Sequence, residues 1–541
     1  MQLIENSSAQ KLRGAYYTPA SLADAIVSLL SDRSYKTILE PSCGDGVFIE
    51  SLNSIGLLEK DVSITGVEIE KDEARKVKSR YIDNSQVNVI AEDFLHYYES
   101  EGKQKSFDLI LGNPPYIRYQ YLSKEQRHIQ AQILKENGMK ANKLINAWVC
   151  FLVACVQMLS DEGVIAFIVP AEILQVAYAE ELRLFLSNHL SRMTLITFEK
   201  LVFPNIEQEI VVFIGEKGEE EKGIRIVEMK TLNDFEGLDL YENGFQKLWH
   251  TKEKWTKYFI TEEEVELIDS IKSDNKFVRF SELALINVGI TTGNNDYFSI
   301  NKETENDYNL SSVTMPLIGR SSHAHGIFFT EEDWRKNIKG GKKAALINFP
   351  DISIEEYDEA HRLYIENGEK TGQNIGYKCQ IRDRWYIVPS VWVPDAFFLR
   401  RNNLYPKFVL NKCGAVSTDT MHRIKFNTNV DPETVLLSYY NSVSFAFVEI
   451  CGRSYGGGVL EILPGEVGNI LLPTVPFIDN SRKGALIEKI DEVVRNDKDI
   501  EIALDFVDET ILIDMLGIDR KVCHTCRRIW KKMQKRRLGR A

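Results

Sequence analysis

The sequence Asn113-Pro114-Pro115-Tyr116 follows an apolar run, Asp108 to Leu111, and a glycine, Gly112. Two consecutive prolines fix the backbone and offer no N–H. The turn therefore holds out the side-chain amide of Asn113, the bare carbonyl of Pro114 and the ring of Tyr116. A turn that only reversed the chain would favour Pro-Gly or Asn-Gly. This set of groups suits the gripping of a planar amine.

A second constellation recurs at successive strand ends. The first expected strand ends in Leu39-Glu40-Pro41-Ser42-Cys43-Gly44-Asp45-Gly46, ahead of a helical stretch from Val47 to Leu52. Small residues here let the backbone approach a ligand and aim helix N-terminal amides at it. The second strand ends at Gly66-Val67-Glu68, an acid placed to accept hydrogen bonds from a ribose diol. The third ends at Asp93-Phe94, an acceptor for an adenine amino group beside a ring that can pack on the base. Each acid alone reads as a helix N-cap. A glycine turn, an acid and an Asp-Phe pair at three consecutive strand ends favour a nucleoside cofactor.

The elements that must position these groups follow from hydrophobic patterning. Across the first 230 residues, short apolar runs (Thr37 to Glu40, Val62 to Glu68, Val87 to Ile90, Phe107 to Leu111, Gly163 to Val169 and Glu209 to Gly215) alternate with amphipathic stretches such as Leu22 to Leu30 and Trp148 to Leu159. Alternation of this kind predicts an α/β fold, a mostly parallel twisted sheet with helices on both faces and ligands at the strands' carboxyl ends. The charged run Glu216 to Gly223 reads as a hairpin turn or the approach to a domain boundary. With 541 residues the chain exceeds one typical core. The expected division is a catalytic domain at 1–248, a mixed α/β domain at 249–519 beginning at Trp249, and a basic tail at 520–541.

The net charge of −13 hides local basic segments. Residues 520–541 carry ten Lys or Arg and no carboxylate, Lys378 to Lys412 seven against two, and Arg118 to Lys143 six against two. Such segments on an acidic body fit phosphate contacts along one face. The apolar runs are shorter than the roughly 20 residues of a membrane span, and the opening Met1 to Asn6 lacks a signal-peptide pattern. A cytoplasmic location without membrane contact is expected. Eight scattered cysteines do not form a disulfide framework, and Cys43, Cys150 and Cys155 read as packing residues.

The motifs Gly14-Ala-Tyr-Tyr-Thr-Pro19, Leu39 to Gly46, Gly66-Val-Glu-Ile69, Asp93-Phe94, Asn113 to Tyr116 and Val202-Phe-Pro204 stand in the order found in gamma-class N6-adenine DNA methyltransferases, and the chain resembles their TaqI-like group. The likeness extends loosely through Val288 to Asn295, Val416 to Arg423 and Tyr455 to Val459, which resemble target-recognition regions. It implies a Rossmann-like domain binding S-adenosylmethionine, followed by a DNA target-recognition domain. By position, Thr18 lies against the cofactor; Glu40, Cys43 and Gly44 line its methionine side; Glu68 holds the ribose; and Asp93 and Phe94 hold the adenine. Asn113, Pro114 and Tyr116 are the implied catalytic residues, and Phe203 closes on the far face of a flipped-out target adenine. The exocyclic nitrogen of adenine is a poor nucleophile. Asn113 Oδ1 and the Pro114 carbonyl, both acceptors, could hold its two hydrogens and aim its lone pair at the sulfonium methyl, so that transfer is direct.

The expected partner is double-stranded DNA, the expected role that of a protective restriction-modification methylase, and the expected state a monomer whose cognate endonuclease, if present, is separate. Arg382, Arg384, Arg400 and Arg401, interleaved with aromatics, are candidate DNA contacts. Methylation of an RNA base or a glutamine amide, or a silent recognition subunit, remain the alternatives. The catalytic turn does not exclude RNA, whereas the long second half argues against the glutamine-amide enzymes. Cytosine C5 methylation is set aside because the chain has no Pro-Cys pair. Cys523-His-Thr-Cys526 is half of a zinc ribbon, so no metal is expected. Glu228-Met-Lys230 matches a nuclease-like Glu-x-Lys, but without a Pro-Asp pair upstream no fused endonuclease is expected.

Overall fold

The apolar runs of the first half assemble into one eight-stranded sheet. Its strands are β1 (Thr37–Glu40), β2 (Ser63–Val67), β3 (Val87–Ile90), β4 (Phe107–Gly112), β5 (Leu159–Pro170), β6 (Arg192–Phe198), β7 (Ile210–Glu216) and β8 (Gly223–Met229). The computed structural model describes residues 17–143, 145–199, 209–219, 221–240, 244–248, 252–475 and 478–539. Spatial order is β3-β2-β1-β4-β5-β7-β6-β8. Neighbours are parallel except at β7, which runs antiparallel to β5 and β6. The order reverses at β1 and β4, the place where open α/β sheets bind ligands beyond the strands' carboxyl ends.

Successive strand residues face opposite sides, and Ile38, Leu39, Leu109, Ile110, Ile165 and Ala166 are all buried. Both faces are therefore covered. One carries α1 (Ala20–Leu29), α2 (Val47–Ser54) and α3 (Lys71–Arg80), whose Ile26, Phe48 and Val77 join Ile38, Leu109 and Ala166 in a single core. Beyond them come α4 (Phe94–Ser100), α5 (Lys124–Glu136) and α6 (Ala147–Gln157); α6 packs on β5 and is buried from Ala147 to Val156.

Two details depart from the sequence reading. Strand β6, buried throughout, was not expected. The charged stretch after β7 does not close a hairpin, because β8 crosses over to pair in parallel with β6.

The chain divides into two compact units between Val265 and Glu266. The expected boundary residue, Trp249, lies outside the described residues. The second unit contains a five-stranded sheet built from Ala284–Val288, Met421–Phe426, Ala396–Leu399, Phe408–Asn411 and Phe328–Phe329, in that spatial order. It also contains α7 (Ser442–Cys451) packed against α8 (Arg520–Leu538).

Helix α8 corrects the expectation of a separate basic tail. Cys523, Cys526, Trp530, Met533 and Arg537 form a buried stripe at helical spacing, and Trp530 meets the edge of Phe445 with ring centroids 5.2 Å apart. Several of its cations are paired inside the unit: Arg520 with Glu509, Arg527 with Asp505 and Asp508, Lys531 with Glu501, and Arg537 with Glu449. Among the described residues no three His, Cys, Asp or Glu side chains are grouped to hold a metal, and no single helix is long and apolar enough to cross a membrane.

Candidate active site

Strand β4 ends at Gly112, whose φ of +151° suits glycine; an added Cβ would find room, 3.6 Å from Glu40 Cγ and Pro41 Cδ, so backbone angle rather than space requires glycine. The chain then enters Asn113-Pro-Pro-Tyr116, which is pinned on several sides. Asn113 Nδ2 donates to Thr18 Oγ1 at 3.3 Å, and the Asn113 carbonyl accepts from Ser42 Oγ at 3.2 Å. Tyr116 Oη donates to the Ile168 carbonyl of β5 at 3.0 Å. Just beyond, the Ala147 amide at the start of α6 donates to the Ile117 carbonyl at 2.9 Å. Thr18, the β1 turn, β5 and α6 thus hold a turn already stiffened by two prolines.

The turn after β1 lies beside it. Gly44 (φ +52°) donates its amide to Glu68 Oε2 at 2.8 Å, and the Glu70 amide donates to Glu68 Oε1 at 2.8 Å. Gly46 (φ +83°) leads into α2. At the end of β2, a Cβ on Gly66 would sit 3.2 Å from Cys43 Sγ, so the two strand ends approach closely. Cys43 is buried, and its thiol is pushed far up by burial and then by Glu40 and Glu68.

The acids are the electrostatic signature of this end of the sheet. Glu40 is 2% exposed and its Oε2 has no hydrogen-bond partner among the described residues. Burial raises its carboxyl well above the usual range, and Asp45 and Glu68 raise it further. Glu68 is also raised by burial, opposed by the Glu70 and Gly44 amides. A desolvated carboxylate set is costly unless a cation joins it. S-adenosylmethionine carries a sulfonium and an ammonium, so the donor set fits that cofactor.

At the end of β3, Asp93 caps α4: its Oδ1 accepts from the Leu95 amide at 2.8 Å and the His96 amide at 3.4 Å, while Oδ2 accepts from Gln126 Nε2 at 2.6 Å. Phe94 is 3% exposed, its ring centroid 4.7 Å from that of Phe151. Both therefore have structural roles, whatever else they do. Tyr17 was not singled out from the sequence. A Cβ on Gly44 would lie 3.4 Å from Tyr17 Cε1, and the Tyr17 hydroxyl is raised by partial burial and by Glu73, Asp45 and Glu68. The ring thus borders the glycine turn; its position in Gly14 to Pro19 was the available signal. Phe203 lies outside the described residues.

In the second unit, the candidate arginines already have protein partners. Arg382 donates to the Thr291 carbonyl at 3.0 Å and the Trp385 carbonyl at 3.3 Å; Arg384 donates to Asp351 at 2.7 Å. Arg400 pairs with Glu461 at 2.9 Å. Arg401 reaches the same carboxylate at 3.5 Å with its side chain 71% exposed.

An open sheet with a glycine turn and acids beyond β1 and β2, and an Asn-Pro-Pro-Tyr turn beyond β4, defines an S-adenosylmethionine-dependent methyltransferase. Residues 2–291 match the family N-6 DNA Methylase, and the chain belongs to it. Residues 252–512 match the Type II methyltransferase M.Eco57I, C-terminal domain. The chain is 24% identical over 496 residues to Type II methyltransferase M.AccI of Acinetobacter calcoaceticus, covering 87% of each chain. It is 27% identical over 309 residues to M.HindII of Haemophilus influenzae, covering 53% of this chain and 55% of that one. Its fold is shared with the Type IIL restriction-modification enzyme MmeI, solved with DNA, at a TM-score of 0.58 and 12% identity over 99% of this chain and 80% of that one. DrdV, also solved with DNA, gives 0.54 and 11% over 91% and 58%. The protein is a DNA methyltransferase specific for the N6 position of adenine.

Proposed function

We propose that this enzyme is the protective methylase of a restriction-modification system, acting as a monomer on double-stranded DNA, with any cognate endonuclease on a separate chain. The reading rests on one observation above all: a proline-stiffened turn at the sheet's reversal point, held by Thr18, Ser42 and Ile168, beside a buried acid cluster. The order of its motifs favours the gamma class.

Bound S-adenosylmethionine supplies an electrophilic methyl group on sulfur. Thr18, Glu40, Cys43 and Gly44 line its methionine side. Glu68 holds the ribose; its oxygens already accept two amides but retain further lone pairs. Asp93 binds the adenine amino group in place of Gln126, and Phe94 walls that pocket. A target adenine cannot reach this site inside a duplex, so it leaves the stack and lies between Tyr116 and Phe203. Asn113 Oδ1 and the Pro114 carbonyl accept its two amine hydrogens, turning the nitrogen lone pair away from the ring. They also stabilise the positive charge that grows on nitrogen as the methyl bond forms, which removes the need for a strong base. The second unit reads the sequence, Arg382, Arg384, Arg400 and Arg401 being candidate contacts.

Asn113→Ala tests this assignment. Loss of an acceptor acting only on the reacting group lowers methyl transfer by about 100-fold or more, while cofactor affinity measured by calorimetry stays within a few-fold. Turnover near that of the wild type refutes the role given to Asn113.

A further inference from the structure

The second unit carries a feature that the catalytic site does not use. Ile375, Tyr377 and Ile381 are 71%, 71% and 57% exposed, a concentration of large apolar side chains in solvent within one short segment. Their base is rigid. Cys379, between them, is fully buried in the unit's aromatic core, and its amide closes a turn on the Gly376 carbonyl at 2.8 Å. The segment is clasped to the loop Thr291 to Asn295: Asn294 Nδ2 donates to Gln373 Oε1 at 2.7 Å, and Arg382 Nη2 to the Thr291 carbonyl at 3.0 Å. Gly293, at φ +86°, lets the loop approach, since a Cβ there would lie 3.0 Å from Lys378 Cβ and Cys379 Sγ.

The knob itself carries only cations, with acids at both edges. Residues 371–382 include Lys378 and Arg382 and no carboxylate; Lys370 before them pairs with Glu366 at 3.6 Å, and Glu369 and Asp383 bound the segment. Lys378 is exposed, its Nζ 5.8 Å from the Tyr377 ring centroid. A stable protein interface needs roughly 800 Å² on each partner, far more than three protruding side chains provide. An apolar wedge flanked by cations is what proteins use to enter between base pairs while holding adjacent phosphates.

Resting on the reading of the second unit as the DNA-recognition part, we infer that Ile375 and Tyr377, supported by Ile381, form a wedge that unstacks a base step of double-stranded DNA, with Lys378 on a neighbouring phosphate. The test uses the full chain and a duplex carrying the motif that the wild-type enzyme methylates, identified by sequencing a treated random library. 2-Aminopurine is placed in turn at each position except the methylated adenine and its immediate neighbours, which flipping alone unstacks. The wild type is expected to raise fluorescence at one step. The Ile375→Ser, Tyr377→Ser double variant, with unchanged melting and S-adenosylmethionine binding, is expected to lose that signal and bind at least about tenfold more weakly, with the slope of affinity against salt unchanged. Lys378→Ala is expected to lower that slope by about one. Unaltered DNA affinity and fluorescence in the double variant overturn the inference, as does DNA binding that persists while sedimentation shows lost self-association. A wild-type chain that methylates no duplex fails earlier and overturns the underlying reading as well.

Discussion

Replacing Arg537 by alanine separates two accounts of the basic C-terminal segment. Its charge suggests a phosphate contact, but Arg537 is 1% exposed and its guanidinium meets the equally buried Glu449, with Nε 3.1 Å from both carboxylate oxygens and Nη2 3.0 Å from Oε1. It also donates to the carbonyls of Asn403 and Gly458. Removing one member of a buried pair strands the other, at about 3–5 kcal/mol. In a unit of this size that lowers the melting temperature by on the order of 10 °C.

The pH dependence has a definite sign. Burial raises the Glu449 carboxyl and Arg537 opposes it; without the arginine, burial acts alone and raises it further. The folded variant then binds a proton that the unfolded chain has released, so its stability falls as pH rises from the ordinary Glu value through the raised folded value. The deficit is therefore smaller at pH 5 than at pH 8. Exposed Lys532, changed to alanine, shifts stability by less than about 0.5 kcal/mol. The assay is thermal melting at both pH values with DNA affinity measured in parallel. If Arg537→Ala melts like the wild type while DNA affinity drops, the buried-pair reasoning is wrong.

Two further substitutions probe the first unit. Glu68→Ala removes the acceptor shared by the Gly44 and Glu70 amides and is expected to weaken S-adenosylmethionine binding at least about tenfold by calorimetry; unchanged affinity contradicts its assignment. Phe94→Ala opens a cavity against Phe151 and is expected to cost about 3–5 kcal/mol in denaturant unfolding, so a variant of wild-type stability shows that the packing there matters little.

Much of the catalytic unit was legible because its signals are local. The prolines after Gly112, the glycines of the β1 turn and the alternating apolar runs each constrain the backbone within a few residues, and β1 to β5 and β7 lie where those runs stand. Asp93 shows where locality misleads in neither direction: the capping geometry expected of a lone acid is present, and Gln126 from the next helix adds a contact no short motif encodes. Strand β6 was missed because Arg192 and two threonines dilute its apolar content, although all seven residues are buried. The largest misreading, the basic tail, came from counting charge without periodicity. Cys523, Cys526, Trp530 and Met533 already marked a helix face, but the partner of Arg537, Glu449, lies 88 residues away. Pairing over such distances is set by tertiary packing.

The most direct test of the central claim is to incubate the purified chain with S-adenosylmethionine and either duplex DNA or RNA of mixed sequence, then digest and identify the modified nucleoside by mass spectrometry. The account predicts N6-methyladenine in the duplex DNA, absent from the RNA and formed about 100-fold or more slowly by Asn113→Ala. N4-methylcytosine, modification confined to RNA, or N6-methyladenine formed equally well by Asn113→Ala would contradict it.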